Sequence, residues 1–203
     1  LDAVGYPYLY IDATYVKARC NHRVRSRAVA IATAVSAEGR REVLGFRVGD
    51  GEDRPWEDFL ASLTDRGLAG VKLVISDAHA AIKAAVQTRL PGAAFKACRI
   101  HFGRNIARRA GSRQKQRVAM AAFSSIYHQA DREMAVTQYH WFATAMERVS
   151  PRLCAYVEDR EVELTAYADF PPAHSAQDLV DQSSGAVDGR DQAPQPGGAD
   201  LSR

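Results

Sequence analysis

The sequence predicts an α/β fold: a mixed sheet built in the order βββαβαβ, then a region of helices only, then a disordered tail. Three observations predict it. Short β-branched and aromatic runs fill the first third with connections too brief for a helical crossover. Apolar residues then alternate between helical spacing and continuous strand-like runs. From residue 175 onward the chain is rich in Gly, Pro, Gln, Asp and Ser and has no aromatic residue, a composition that cannot bury enough apolar area to offset its ordering entropy.

The elements follow in order. Tyr8-Leu9-Tyr10-Ile11-Asp12-Ala13 reads as a strand after Pro7. Residues 27–35 are a second strand and residues 42–48 a third, with Ser36-Ala37-Glu38-Gly39 as the turn between them. Such short links make an antiparallel meander. Trp56, Phe59, Leu60 and Leu63 recur at helical spacing, and Arg66-Gly67 ends that helix. Val71 to Asp77 is a fourth strand, apolar enough to lie inside the sheet. Residues 80–90 are an Ala-rich helix stopped by Pro91-Gly92, and residues 93–98 a fifth strand. Beyond Phe102, Met120, Phe123, Ile126 and Tyr127 form one amphipathic stripe. Trp141, Phe142, Ala145, Met146 and Val149 form another, and Leu153, Tyr156 and Val157 a third. The expected organisation is residues 1–101 as a sheet core, 102–174 as a helical region and 175–203 as a tail.

At 203 residues, 46% hydrophobic and 25% charged, the composition is that of an ordinary globular chain. No run approaches the ~20 apolar residues of a membrane span, and Leu1-Asp2-Ala3-Val4 has no signal-peptide character. Three cysteines fit a reducing cytosol rather than a disulfide framework. The first residue is not Met, so the chain is expected to begin inside a longer protein.

Charge is uneven. The net charge is +3, and residues 175–203, with five Asp and two Arg, oppose it. The densest basic stretch holds Arg99, Arg104, Arg108, Arg109, Arg113, Lys115 and Arg117 without an acid. It reads either as a phosphate-tracking surface or as a solvated helix face. Arg99, Arg104, Arg108 and Arg109 are the candidate phosphate contacts; charge by itself does not say which polyanion they meet.

Two aspartates stand where strands rarely hold them. Asp12 lies within the first strand and Asp77 closes the fourth. Carboxylates from neighbouring strands can share a patch and hold Mg²⁺ or Mn²⁺ by oxygen coordination, and such a site serves phosphoryl transfer. The alternative is that Asp77 caps the next helix and Asp12 pairs with Lys17 or Arg19.

These residues carry a family resemblance. Tyr8-Leu9-Tyr10-Ile11-Asp12-Ala13-Thr14-Tyr15-Val16-Lys17-Ala18-Arg19, Val74-Ile75-Ser76-Asp77-Ala78-His79 and Cys98-Arg99-Ile100-His101-Phe102-Gly103-Arg104-Asn105 resemble, in order, three blocks of the Mutator-like family of bacterial insertion-sequence transposases. The resemblance runs from about residue 4 to about 174. It implies a ribonuclease-H-like sheet with a helical insertion, and an Asp-Asp-Glu (DDE) site using Mg²⁺ to cut and join DNA strands. Asp12 and Asp77 take the two Asp roles, as catalytic residues and metal ligands. DNA is the implied partner, with a homo-oligomer as the intact assembly and no membrane. Cys98 and His101 match a motif of uncertain role; a Cys-x-x-His pair is half a zinc site, and packing beside the active site is expected. Trp141 can stack on bases, but a core position is expected. The family's end-recognition module would lie upstream of residue 1, so sequence-specific binding is not expected of residues 1–203.

The family's Glu belongs to a block reading roughly Trp-Ser-Thr-Asn-Pro-Leu-Glu-Arg. Phe170-Pro171-Pro172-Ala173-His174 matches its lead-in, after which the sequence departs, and no Glu follows Glu163. Ser175 to Val187 can be encoded so that reading one nucleotide later spells Ala-His-Lys-Ile-Trp-Ser-Thr-Asn-Pro-Leu-Glu-Arg. The Glu would overlap the codons of Gly185 and Ala186. The expectation is a frameshift just after His174 and a chain at most weakly active in strand transfer. The competing expectation is a non-catalytic DNA-binding remnant that interferes with intact transposase.

Overall fold

The computed structural model describes residues 5–20, 22–50 and 56–170. Five strands form one mixed sheet: β1 (Tyr8–Cys20), β2 (Arg23–Val35), β3 (Arg41–Asp50), β4 (Leu73–Ser76) and β5 (Ala94–Ala97), in the order β3-β2-β1-β4-β5. The first three are antiparallel neighbours, while β4 runs parallel to β1 and β5 parallel to β4. The expected βββαβαβ order is present. Gly39 turns β2 into β3 at a φ of 80°, a left-handed value that glycine adopts without steric cost. A bulge between Ala32 and Thr33 shifts the β2–β3 register.

The first three strands are longer than the sequence predicts, β3 by three residues and the β1–β2 hairpin most of all. β1 continues from Ala13 to Cys20 and β2 begins at Arg23 rather than at residue 27. The added hairpin residues mix the cations Lys17, Arg19, Arg23 and Arg25 with Tyr15, Val16, Ala18 and Val24 in no clean alternation; their pairing across the hairpin marks them.

Helices α1 (Trp56–Asp65) and α2 (Ala80–Arg89) cover one sheet face. Trp56, Phe59, Leu60 and Leu63 of α1 and Ile82 and Val86 of α2 pack with Leu9, Ile11, Ala32, Leu44 and Val74. On the other face, Tyr8, Tyr10, Val35, Leu73 and Ile75 pack with Cys98 and Ala166, and Tyr8 meets the edge of Phe170 at 5.6 Å. The remaining helices are α3 (Arg99–Ala110), α4 (Arg113–Ile126), α5 (Arg132–Val149), α6 (Pro151–Val157) and α7 (Glu161–Thr165). Their core is built on Phe102, Phe123, Phe142, Met146 and Leu153, with Phe102 and Phe123 stacked at 5.5 Å. α7 returns to lie against β5.

The α5 stripe differs from expectation at one position. Ala135, Tyr139, Phe142, Met146 and Val149 are buried, a repeat of four and three. Trp141 lies a helical step away and is 56% exposed. The expected core Trp is a surface residue, because adjacent aromatics on a helix point about 100° apart and Phe142 occupies the seam. Among the described residues no helix is long and apolar enough to cross a membrane. The predicted tail, residues 175–203, lies outside the described residues.

Candidate active site

Ile11 of β1 pairs with Ser76 of β4. The residue after each is an aspartate, Asp12 within β1 and Asp77 just past the end of β4, so the parallel register brings the two to the carboxyl end of β4. Both line one small cavity of about 90 Å³ with His79, Trp56 and His101. Asp12 is exposed (61% of its side chain), and its Oδ1 accepts the Ala13 N–H at 2.8 Å. His79, rather than Asp77, caps α2: its ring nitrogen accepts the Ala81 N–H. Asp77 is thereby left at the cavity. In the structure Asp12 lies near His101 rather than against Lys17 or Arg19: His101 Nε2 stands 3.9 Å from Asp12 Oδ1.

Cys98 and His101 hold the N-terminus of α3 over this end of the sheet. The Cys98 N–H donates to the Ser76 carbonyl at 2.7 Å, which ties α3 to the residue preceding Asp77. The thiol is buried against β1 and β4. Burial pushes it up, but the His101 ring and the amides of His101 and Ile100 outweigh burial and hold it below the ordinary cysteine range. The His101 ring is raised, first by the Cys98 thiol, against burial, with Asp12 and Asp77 adding to the rise.

Two carboxylates are hard oxygen donors of the kind Mg²⁺ takes, with water and substrate phosphate completing its shell. Trp56 Nε1 and Ser76 Oγ, also on the cavity wall, are buried without a hydrogen-bond partner among the described residues. The Trp56 indole N–H can only donate, to water or an anion; the two carboxylates and the Ser76 hydroxyl are the groups there that fit a hydrated cation. Among the described residues no cluster of three or more ligating side chains is present. Glu163, the last Glu in the chain, is buried and bound by Lys83 and by Arg160 at 3.2 Å. Glu161 reaches His140 at 3.1 Å.

The four candidate arginines divide. Arg99 donates to Ser124 at 2.8 Å and lies 4.9 Å from the Tyr127 ring. Arg109 stacks 3.9 Å from the Tyr156 ring. Arg104 and Arg108 are exposed one turn apart on α3. Trp141 lines a groove between α4 and α5 with Val118, Lys115 and Arg148.

Lys96 escaped sequence reasoning; its only trace is a cation within a short apolar strand. It is 1% exposed on β5, over the Tyr127 ring at 5.4 Å. Burial draws its ammonium down to about 8, with Cys98 opposing and Arg99 adding to the fall. Between about 8 and the ordinary 10.5 the unfolded chain binds more protons than the folded one, so this residue makes stability rise with pH across that window. Below it the cost is fully present. Lys96→Met is expected to stabilise the fold at pH 7 by about 3 kcal/mol and to abolish the rise. Urea unfolding at pH 7 and 9 measures both; equal pH slopes in the two proteins would refute it.

Comparison with known proteins bears on the same residues. The family described as "Transposase, Mutator family" matches residues 1–180. The chain is 38% identical over 172 residues to the transposase for insertion sequence element IS1081 of Mycobacterium tuberculosis, covering 84% of this chain and 41% of that protein. It is 35% identical over 169 residues to the transposase for insertion sequence element IS406 of Burkholderia multivorans, covering 83% and 44%. Against the transposase for insertion sequence element IS256 in transposon Tn4001 of Staphylococcus aureus, identity is 39% over 107 residues, 52% of this chain and 27% of that protein. The chain thus spans less than half the length of these relatives. With a match over most of its length, this chain belongs to the Mutator family of transposases.

Proposed function

We propose that this chain carries the DNA-cutting and DNA-joining centre of an insertion-sequence transposase, in a form that has lost one of three carboxylates. One observation carries the reading: parallel register places Asp12 and Asp77 side by side on one cavity, in a chain of this family. The strand order β3-β2-β1-β4-β5, with β4 and β5 parallel to β1, supports a ribonuclease-H-like sheet.

Asp12 and Asp77 are the residues that would hold Mg²⁺ or Mn²⁺. When bound, the metal lowers the barrier to displacement at phosphorus by neutralising charge and activating the attacking oxygen. The chain's own residues do the placing. The pairing of Ile11 with Ser76 sets the places of the two carboxylates that follow them, and His101 lies 3.9 Å from Asp12. Arg104 and Arg108, exposed on α3, contact phosphates of the bound DNA. An intact assembly is a homo-oligomer.

The third carboxylate is wanting. Glu163 is already held by Lys83 and Arg160, and no Glu follows it. The family match ends at residue 180, close to where a one-nucleotide shift would restore the Glu-bearing block. The protein is therefore at most weakly active. The missing Glu also favours a second reading, a non-catalytic DNA-binding chain that interferes with intact transposase in mixed oligomers. Strand cleavage of duplex DNA, without a required end sequence, in Mg²⁺ tests the proposal, on this chain and on one translated in the shifted frame after His174. Trace cleavage by the first and full cleavage by the second is expected. Failure of both to cut refutes the proposal.

A further inference from the structure

The β1–β2 hairpin reaches past the sheet that carries it. β4 leaves β1 at Ile11 and β3 leaves β2 at Arg27. Beyond that point Lys17 pairs with Ser26, Ala18 with Arg25, Arg19 with Val24 and Cys20 with Arg23, with no third strand on either side among the described residues. At about 3.3 Å per residue, the ribbon from Val16 to Cys20 projects about 15 Å from the end of the sheet where Asp12 and Asp77 lie.

Its charge is of one sign. Between Asp12 and Glu38 the chain holds Lys17, Arg19, Arg23, Arg25 and Arg27, with His22 at the tip, and no Asp or Glu. Lys17, Arg19, Arg23 and Arg25 are exposed. Side chains alternate along a strand and cross-strand partners share a side. Arg23 and Arg25, paired with Cys20 and Ala18, therefore stand on the side of the ribbon that Asp12 occupies farther along β1. Lys17 and Arg19 stand on the opposite side. Same-side residues recur about every 7 Å, close to the step between neighbouring phosphates on one strand.

A lone two-stranded ribbon is marginal in water, and like charges at close spacing weaken it further. A polyanion removes both objections. The major groove of duplex DNA admits a two-stranded ribbon and presents a phosphate backbone on either side. We propose that the β1–β2 ribbon is a DNA-holding arm that lies along a groove of the duplex. Arg23 and Arg25 grip the backbone nearer the aspartates, and Lys17 and Arg19 grip the other. The arm fixes the duplex next to the cutting centre without reading its sequence. This inference rests on the transposase reading and adds to it the surface that holds the DNA.

Fluorescence anisotropy of a labelled 20-base-pair duplex over a salt series tests it. Each phosphate contact contributes roughly 0.9 to the slope of log affinity against log salt. The fourfold variant Lys17→Gln, Arg19→Gln, Arg23→Gln, Arg25→Gln is expected to lower that slope by about 3 to 4 and to weaken binding by about 30-fold or more at low salt. A charge-keeping variant, Lys17→Arg, Arg19→Lys, Arg23→Lys, Arg25→Lys, retains the slope and controls for folding. If the unsubstituted chain binds duplex and the glutamine variant keeps its slope and affinity, the arm is refuted and the transposase reading stands. Loss of binding in the charge-keeping variant too refutes an electrostatic grip. If the unsubstituted chain binds no duplex at low salt, the transposase reading fails and the arm with it.

Discussion

Translating the chain in the frame one nucleotide later after His174 is expected to raise Mg²⁺-dependent cleavage of duplex DNA by about 10²- to 10³-fold. The magnitude follows from what one group that stabilises developing charge contributes to a transition state. Asp12 and Asp77 place two carboxylates on one cavity, the two ligands of the proposed site. Glu163 cannot swing in as a third, because freeing it would break its pairing with Lys83 and Arg160 and leave two cations without a counter-charge. The restored block places a Glu on the segment following Phe170, whose ring packs against Tyr8 at the start of β1. In the restored chain, Asp77→Asn is expected to return cleavage to background. Cleavage by the unaltered chain at the restored rate would show that the third carboxylate is not needed.

Phe123→Ala is expected to cost about 3–5 kcal/mol of stability, the range for emptying an aromatic site in a core. Phe123 is 1% exposed and meets Phe102, Tyr127 and Phe142 at ring distances of 5.5, 5.3 and 5.9 Å. It therefore joins α3, α4 and α5 at one point. Trp141→Ala, on the same helical region, is expected to change stability by no more than about 0.5 kcal/mol, as surface substitutions do. Urea unfolding of the two variants gives the comparison. A Trp141 variant as destabilised as the Phe123 variant would return Trp141 to the core.

The contrast between these two aromatics shows how far sequence alone reaches. Helical periodicity finds an amphipathic stripe but leaves its edge undetermined by about one residue. Phe142 and Trp141 are equally apolar candidates until a neighbouring helix selects one. The α1 stripe had no such competitor, and all four of its predicted residues are buried. The pair Asp12 and Asp77 was legible because a carboxylate in an apolar strand is rare, and because the family blocks contain both. Their shared cavity follows from one further fact, the parallel β1–β4 pairing.

What stayed hidden depends on partners distant in sequence. The basic density of residues 99–117 drew attention to α3, yet Arg99 and Arg109 lie on the rings of Tyr127 and Tyr156. The cations of the β1–β2 ribbon are more dispersed along the chain and are gathered onto the two sides of one ribbon only when the hairpin pairs. Lys96 reads as a polar strand residue until α4 and Tyr127 close over it.

Mn²⁺ binding, followed by the loss of its free-ion paramagnetic resonance signal, measures the shared carboxylate site without requiring turnover. The unsubstituted chain is expected to take up one ion that Mg²⁺ displaces, and Asp12→Asn and Asp77→Asn each to weaken uptake by about tenfold or more. Uptake unchanged in either variant would mean that the two aspartates do not share a cation, and the proposed cutting centre would not exist.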